Sequence, residues 1–448
     1  MDYSVLEIII QLIVFLGAIF VGIRLGGIGI GYAGGLGVVI LGIVLGMKPG
    51  NIPWDVILII AAAIAAISAM QEAGGLDYLV RLTEKILRSN PKYINYLGPC
   101  CCYWLTIFAG TGNAVFSLMP VIIDVAKAQN IKPSVPLSVS VVSSQIGITA
   151  SPVSAAVVYM SGVLEPLGWN YPTLLGIWLV TTILGCMLTA LIIGLFTNTR
   201  LDTDPVYQAR LKAGLVKDAK EVLQAEDKPG AKLSVLIFLL AVAAVVLYAT
   251  AISSNVALIE NPAVGRDQAI MSFLLGAAAL IVIFCKVDVS KITETSVFKA
   301  GMTACICVFG VAWLGNTFVS GHEQAIKDVA GEWVQKAPAM LAVAFFFASM
   351  LLYSQAATAK AITPIIISAL GISAANPADS YMLVACFAAV SALFVLPTYP
   401  TLLGAVQMDD TGTTRIGKFI FNHAFFLPGV MAIAISVALG FLVAPFAL

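Results

Sequence analysis

Long apolar runs separated by short polar segments make up most of this chain. Runs long enough to cross a bilayer as helices lie at about residues 5–23, 28–47, 53–73, 134–163, 173–196, 233–254, 269–285, 300–319, 379–407 and 420–445. Two further runs, 93–128 and 338–371, could each form two half-length helices around a central polar break. The pattern predicts an all-α polytopic membrane protein with about ten transmembrane helices and two re-entrant hairpins.

Helix-breaking residues interrupt four of these runs. Gly, Asn, Thr, Ser and Pro collect at 106–120 in the first hairpin and at 143–158 in the span that follows it. Similar breaks lie at 350–367 and 393–407. In lipid, irregular backbone persists only where protein or a watery cavity covers it. The breaks therefore predict two broken helices, and a binding site where helices and hairpins meet.

The second half of the chain repeats the first. Pro364 follows Pro120 by 244 residues and Pro400 follows Pro152 by 248, so two independent anchors give nearly the same offset. We predict an N-terminal unit at 1–197, a linker at 198–232 and a C-terminal unit at 233–448, each unit with one hairpin and one broken helix.

Loop charge predicts the orientation of the two units. Lys and Arg concentrate in 198–232 and 77–92, whereas 165–172 and 371–377 contain neither. Basic loops face the cytoplasm. With both termini in the periplasm, every loop obeys this rule, and the two units enter the membrane from opposite sides. This is an inverted-topology repeat.

Composition excludes several classes of protein. The 448 residues are 60% hydrophobic and 11% charged, with a mean hydropathy of +0.98, which leaves too little polar surface for a soluble protein of this size. Twenty-four basic residues balance twenty-four acidic ones, so no nucleic-acid partner is expected. The eight cysteines lie in or beside apolar segments, and the glycine-rich stretch 26–37 indicates close helix packing.

The breaks also supply candidate ligand-binding groups. A helix that begins at mid-membrane presents free N–H groups and a partial positive charge, which attract anions. A ligand with two anionic ends suits two such half-sites, although one anion plus one cation also fits. The predicted site residues are Thr111, Gly112, Asn113, Thr149, Ser151, Ser154, Gln355, Thr358, Lys360, Thr398, Tyr399 and Thr401.

Each of these residues has a structural alternative. Proline often kinks a spanning helix, and Ser or Thr often bonds the freed carbonyls without touching a ligand. Four breaks in two matching pairs favour the site. Lys360 is a separate signal, because a charge at membrane depth is costly and usually faces a cavity. We predict that it pairs with a ligand carboxylate, the alternative being a side chain that extends to the outer vestibule.

Five segments resemble one known family. These are Gly110 to Asn113, Ser151 to Ala156, Ser354 to Ala361, Leu396 to Thr401 and the tail from Asp409 to Lys418. Together they resemble the Dcu-type anaerobic C4-dicarboxylate transporters of bacterial inner membranes, over essentially the whole chain.

The resemblance implies secondary transport of fumarate, succinate, malate and aspartate, commonly as fumarate/succinate exchange, without a cofactor. It also implies an elevator-type fold in the lipid bilayer and a homodimer. Better-known elevator relatives carry Ser-Asn-Thr at both hairpin tips, whereas this chain has Gly-Thr-Gly-Asn and Gln-Ala-Ala-Thr. The sodium sites of those relatives are therefore not assigned to this chain, and no coupling ion is predicted.

Three other functions are weighed against C4-dicarboxylate exchange. The first is a proton- or sodium-coupled carrier of another small organic anion. A membrane-embedded enzyme would need a nucleophile with a base, or a metal cluster, at membrane depth; the sequence has no HExxH motif and no paired carboxylates in mid-span. A channel is disfavoured because two hairpins entering from opposite sides suit alternating access.

Overall fold

A computed structural model describes residues 5–25, 28–52, 54–216, 228–252, 258–322, 339–352, 354–397, 399–417 and 421–447. Within these ranges the chain is helical, with three isolated β-bridges and no strand. The prediction of a mostly helical protein with several apolar helices is confirmed.

The N-terminal half contains nine helices among the described residues. They are α1 (Val5–Leu25), α2 (Gly29–Val39), α3 (Trp54–Glu72), α4 (Gly75–Ser89), α5 (Ile94–Ala109), α6 (Met119–Ala128), α7 (Ser134–Ile146), α8 (Ala155–Leu164) and α9 (Tyr171–Phe196).

A short helix in the linker and nine helices of the C-terminal half follow, again counting described residues. They are α10 (Pro205–Lys212), α11 (Ala231–Ala251), α12 (Arg266–Cys285), α13 (Val289–Ile292), α14 (Ser296–Gly321), α15 (Met340–Leu352), α16 (Gln355–Leu370), α17 (Tyr381–Cys386), α18 (Pro400–Met408) and α19 (Phe426–Val443).

The predicted count of about ten transmembrane helices is not confirmed. Among the described residues six helices are long and apolar enough to cross a bilayer, with 134–167 counted across its break. Several predicted spans are shorter because local backbone changes divide them. The span 28–47 passes from α2 into a π-helical turn, and 379–407 divides into α17, a 3₁₀ segment and α18.

The basic segment 77–92 folds largely as helix α4, which meets α3 at 71°. Gly74 makes the bend, because its backbone is left-handed (φ 86°) and a side chain there would be strained. Leu76 and Leu87 on α4 are buried while charged residues cover the other face. The helix is therefore amphipathic, lying where a polar loop was predicted.

Packing divides the helices between separate hydrophobic cores. The largest, which we call the hairpin core, is formed mainly by α5–α9 and α15–α19. A second core joins α3, α11 and α12, and a third joins α1, α2 and α14. α2 and α14 touch backbone to backbone, since a methyl group on Gly31 or Gly34 would collide with main-chain atoms of Ile306 or Gly310. The predicted role of the glycine-rich stretch in close packing is confirmed.

Candidate functional site

The first hairpin tip connects α5 to α6. α5 is capped by Gly110, which adopts the left-handed backbone conformation (φ 64°) common at helix C-termini. Thr111 is extended, and its hydroxyl oxygen accepts a hydrogen bond of 3.3 Å from the Asn113 N–H. A 3₁₀ helix, Gly112–Ser117, leads into α6. Thr111 is half-buried and Asn113 is exposed, so this tip presents polar groups at its surface.

The first broken helix comprises α7, a 3₁₀ turn at Gly147–Ala150, and α8. Ser151 and Ser154, between the turn and α8, have extended backbone, and the Ser154 hydroxyl oxygen caps α8 by accepting from the Val157 N–H. The hydroxyls of Thr149, Ser151 and Ser154 donate hydrogen bonds of 2.7–2.8 Å to backbone carbonyls, those of Ile146, Ile107 and Ile148 respectively. All three side chains are buried and serve the backbone at the break.

The second hairpin tip has a different construction. α16 begins directly at Gln355, and Ser354 caps it by accepting a hydrogen bond from the Ala357 N–H. The Thr358 hydroxyl donates to the Ser354 carbonyl at 2.8 Å. Gln355 and Thr358 are buried, so this tip is covered by neighbouring protein where the first is exposed.

The second broken helix reaches the same region from the other half. Its 3₁₀ segment ends at Phe394, and α18 begins at Pro400 after a half-buried, extended Tyr399. Thr398, a predicted site residue, lies outside the described residues. No side chain caps the N-terminus of α18 in the described structure. Pro400 has no N–H, and the N–H groups of Leu402 and Leu403 donate to the Tyr399 carbonyl. Among the described residues the Thr401 N–H is therefore the first-turn donor that this helix end offers an anion.

Gln145, near the end of α7, joins the two halves. Its side-chain Nε2 donates to the Thr401 hydroxyl at 3.1 Å, and its backbone carbonyl accepts from Gln355 Nε2 at 3.1 Å. Gln145 is 1% exposed, Thr401 0% and Gln355 6%. Three predicted neighbourhoods, the first broken helix, the second broken helix and the second tip, therefore meet at one buried point.

Gln145 is not among the site residues predicted from the sequence. Its signal was a lone carboxamide in the run SVVSSQIGITA, two residues before the glycine that starts the break. Ser and Thr are common in spanning helices and bond their own backbone, but a buried carboxamide needs partners from another element.

Lys360 lies on α16, one and a half turns after the second tip. Its side chain is 2% exposed, and its ammonium nitrogen lies 5.6 Å from the centre of the Tyr159 ring on α8. A cation over an aromatic face is stabilised by the ring quadrupole. Lys360 therefore links the second hairpin to the first broken helix. Gln145 in the same way links the first broken helix to the second broken helix.

Hydrogen-bond chemistry divides the predicted residues into two groups. The first group donates its hydroxyl protons to backbone carbonyls and consists of Thr149, Ser151, Ser154 and Thr358. Only the lone pairs of these hydroxyls remain, and because a carboxylate is also an acceptor, they have no proton to offer it. Donors suited to a carboxylate are the Thr111 hydroxyl, the Asn113 amide, the Lys360 ammonium and the N-terminus of α18.

One end of the hairpin core is held by ionic links. Lys127 at the end of α6 contacts the Asp410 carboxylate at 3.0 Å, and Lys132 contacts Asp204 in the linker at 3.1 Å. Burial works to raise the pKa of Asp204, but the Lys132 ammonium and two backbone N–H groups outweigh it and hold the pKa below its usual value. The first hairpin, the linker and the loop after α18 therefore share one face.

The loop after α18 is a built turn on that face. Asp409 is buried and accepts hydrogen bonds from Thr411, Thr413 and Thr414. Beside this turn lies a cavity of about 420 Å³, lined partly by Ser138, Arg415 and His423. The His423 Nε2 lies 3.1 Å from the Val395 carbonyl oxygen.

The opposite face joins a different set of loops. Trp169, before α9, donates from its indole nitrogen to the Ser380 hydroxyl at 2.8 Å. Arg266 at the start of α12 bonds Glu165 at 2.9 Å and Ser161 at 3.0 Å. Loops that charge assigns to one side of the membrane are therefore neighbours in space.

Comparison with known proteins gives a full-length match. The model of a family described as "Anaerobic c4-dicarboxylate membrane transporter" covers residues 7–448. The chain is 61% identical over 438 residues to a protein named C4-dicarboxylate transporter DcuA from Helicobacter pylori, covering 98% of this chain and 99% of the relative. A protein of the same name from Wolinella succinogenes is 63% identical over the same shares of both chains.

A solved structure has a similar fold. It is the Alcanivorax borkumensis YdaH transporter, described as having an unusual topology, and the match covers 97% of each chain with a TM-score of 0.53. Sequence identity is 14%, so the likeness concerns the fold alone.

Proposed function

The chain belongs to the family of anaerobic C4-dicarboxylate membrane transporters, and we propose that it exchanges one C4-dicarboxylate for another across the bacterial inner membrane by alternating access. It is a transporter of C4-dicarboxylates and not an enzyme. Fumarate, succinate, malate and aspartate are the proposed substrates, with fumarate/succinate exchange as the characteristic cycle.

One observation carries the location of the substrate site. The chain of hydrogen bonds from Gln355 through Gln145 to Thr401 joins a hairpin tip and both broken helices in the protein interior. Such breaks occur at binding sites because the free backbone groups need partners. Lys360 and the N-terminus of α18 supply positive charge for one carboxylate, and Thr111 and Asn113 supply donors for the other.

The proposed architecture is an inverted repeat with an elevator movement. Units 1–197 and 233–448 each contribute a hairpin (93–128 or 338–371) and a broken helix (134–163 or 379–407). Most residues of the hairpin core belong to neither of the other two cores, which supports movement of that core as a body against α1–α3 and α11–α14. The boundary is crossed by Val153 and Val158, which pack in the second core, and by Ala357 and Ala361, which pack with Val311 of α14. We also propose a homodimer, by analogy with the elevator-type transporters that the sequence resembles.

The proposed sidedness places both termini in the periplasm. The basic linker shares a face with Lys127, Lys132 and Asp410, which favours a cytoplasmic position for that face. The loops around Trp169 and Ser380 would then be periplasmic. The first hairpin thus opens to the cytoplasm and the second to the periplasm.

Counterflow tests the exchange proposal. Purified protein in liposomes loaded with succinate should take up labelled fumarate faster than protein in empty liposomes. After each inward step, the binding site of an exchanger returns to the outside with succinate bound. A channel would show no acceleration by internal succinate. A coupled carrier of another anion would show neither uptake nor competition by the four C4 acids.

A further inference from the structure

The Gln145 side chain carries an atom that its surroundings leave unused. Its Nε2 donates to Thr401, but among the described residues its Oε1 has no hydrogen-bond partner and no exposure to solvent. Buried acceptors are normally bonded, and an orphan one points to a water, an ion or a ligand. The side chain is 1% exposed, so the second tip has to open before anything from outside can reach it.

The surroundings of Gln145 link this atom to the transport cycle. Gln355 of the second tip bonds the Gln145 backbone carbonyl, and Thr401 lies in the first turn of α18, whose N-terminus no side chain caps in the described structure. Lifting of the tip breaks the hydrogen bond from Gln355 to the Gln145 backbone carbonyl, on the same residue that carries the unpartnered side-chain oxygen. Its hydrogen bond to Thr401 places this acceptor beside the first turn of α18, where the Thr401 N–H is the donor left for an anion.

Chemistry restricts what such an acceptor can bind. A carboxamide oxygen and an ionised carboxylate are both hydrogen-bond acceptors and neither can donate. The Oε1 atom therefore cannot bind a carboxylate. It can hold an O–H or N–H group. Malate carries a hydroxyl and aspartate an ammonium on the second carbon, whereas fumarate and succinate have only C–H there.

We propose that Gln145 is a specificity-determining residue, whose side-chain oxygen accepts a hydrogen bond from the hydroxyl or ammonium on the second carbon of malate or aspartate. The inference rests on the proposed substrate site at the helix breaks. Discrimination of this kind is strong when a buried polar group would otherwise stay unpaired. Gln145 thereby distinguishes C4 acids that share the same two carboxylates.

The test is counterflow by the full chain in liposomes, measured separately with labelled aspartate, malate, fumarate and succinate. Gln145→Met keeps the length of the side chain and removes the acceptor. It should raise the half-saturation concentration for aspartate and malate by about ten- to a hundredfold, with a change of less than about threefold for fumarate and succinate. Gln407→Met, the same substitution at an exposed position on α18, is the matched control and should leave all four unchanged.

Gln145→Glu provides a second measurement, the ratio of aspartate uptake to fumarate uptake, which loss of folding would not raise. A carboxylate at this position attracts an ammonium and repels the substrate carboxylates, so the ratio of aspartate to fumarate uptake should rise above that of the wild type. If Gln145→Met abolishes all counterflow, this ratio decides, and an unchanged ranking overturns the proposal.

Other outcomes also overturn the proposal. An equal rise for all four acids in Gln145→Met would mean that Gln145 binds a carboxylate through Nε2 or holds a coupling cation. Failure of the proposed function is distinct, because then the wild-type protein shows no counterflow with any of the four acids.

Discussion

The two hairpin tips occupy matching places in the proposed repeat, yet one is exposed and the other buried. The first is a 3₁₀ turn after Gly110, with Asn113 at the surface. At the second, α16 begins at Gln355, and Gln355 and Lys360 are buried near the broken helices. Equivalent position in the repeat therefore does not give equivalent chemistry.

This difference fits a transporter with one gate open and one closed. An exposed amide at a helix break in the membrane has to meet water or a ligand. We infer that the first tip faces an open path, while Gln355 holds the second tip shut on Gln145. If the first hairpin opens to the cytoplasm, this structure is an inward-facing state.

The largest expected difference between the hairpins is the side of the membrane on which they open. Ala128 is the last residue of α6, and Ala375 lies in the loop after α16. Both are exposed alanines at the end of the second helix of a hairpin, and so form a matched pair. In a background lacking the eight native cysteines, an impermeant thiol reagent added to intact cells should label Ala375→Cys and spare Ala128→Cys. Permeabilised cells should show both labelled.

Labelling of Ala128→Cys in intact cells would contradict the proposed orientation. Equal protection of both positions would contradict the inverted repeat itself, because both hairpins would then open to the cytoplasm.

The next largest effect should come from Lys360 on the closed side. Losing one member of a desolvated charge pair costs about 2 to 5 kcal/mol, so Lys360→Gln should lower fumarate exchange by about a hundredfold or more. Lys360→Arg should restore little, because a planar fork does not replace a compact ammonium in a tight site. The measurement is counterflow at matched protein content.

Lys299→Gln, an exposed lysine on α14, is the control and should exchange fumarate normally. Wild-type exchange by Lys360→Gln would leave the substrate anion to backbone N–H groups and the Thr111 and Asn113 side chains.

The smallest effect separates the two tips by the hydrogen bonds they can offer. Asn113→Ala removes an exposed donor and should raise the half-saturation concentration for fumarate by about ten- to a hundredfold. Thr358→Ala should raise it by less than about threefold, because its hydroxyl already donates to the Ser354 carbonyl. The reverse order would mean that the second tip, and not the first, supplies the side-chain donor.

Much of the fold and function could be predicted from the sequence. Hydropathy predicted an apolar helical protein, and the five motifs predicted the family that the full-length match confirms. The number of transmembrane helices was not predictable to the same degree. Hydropathy detects a continuous apolar run, whereas the π-helical turn after α2 and the 3₁₀ segment after α17 divide the runs 28–47 and 379–407 without changing their composition.

The candidate site divides along the same line. Sequence alone located the polar breaks, because Pro, Gly, Ser and Thr in an apolar run are visible without coordinates. It could not tell that Thr149 and Ser154 spend their protons on their own backbone, since either use requires the same residue type. Lys360 was identifiable, but its position over Tyr159 was not.

What the sequence determined by itself is therefore local: which segments enter the membrane, where their helices break and to which family they belong. These properties depend on hydropathy and backbone preference within one segment. Only the tertiary structure decided which breaks meet, that Gln145 bridges Gln355 and Thr401, and that one tip is covered. Such contacts join residues more than two hundred positions apart, and hydrogen bonding across that separation is set by helix packing.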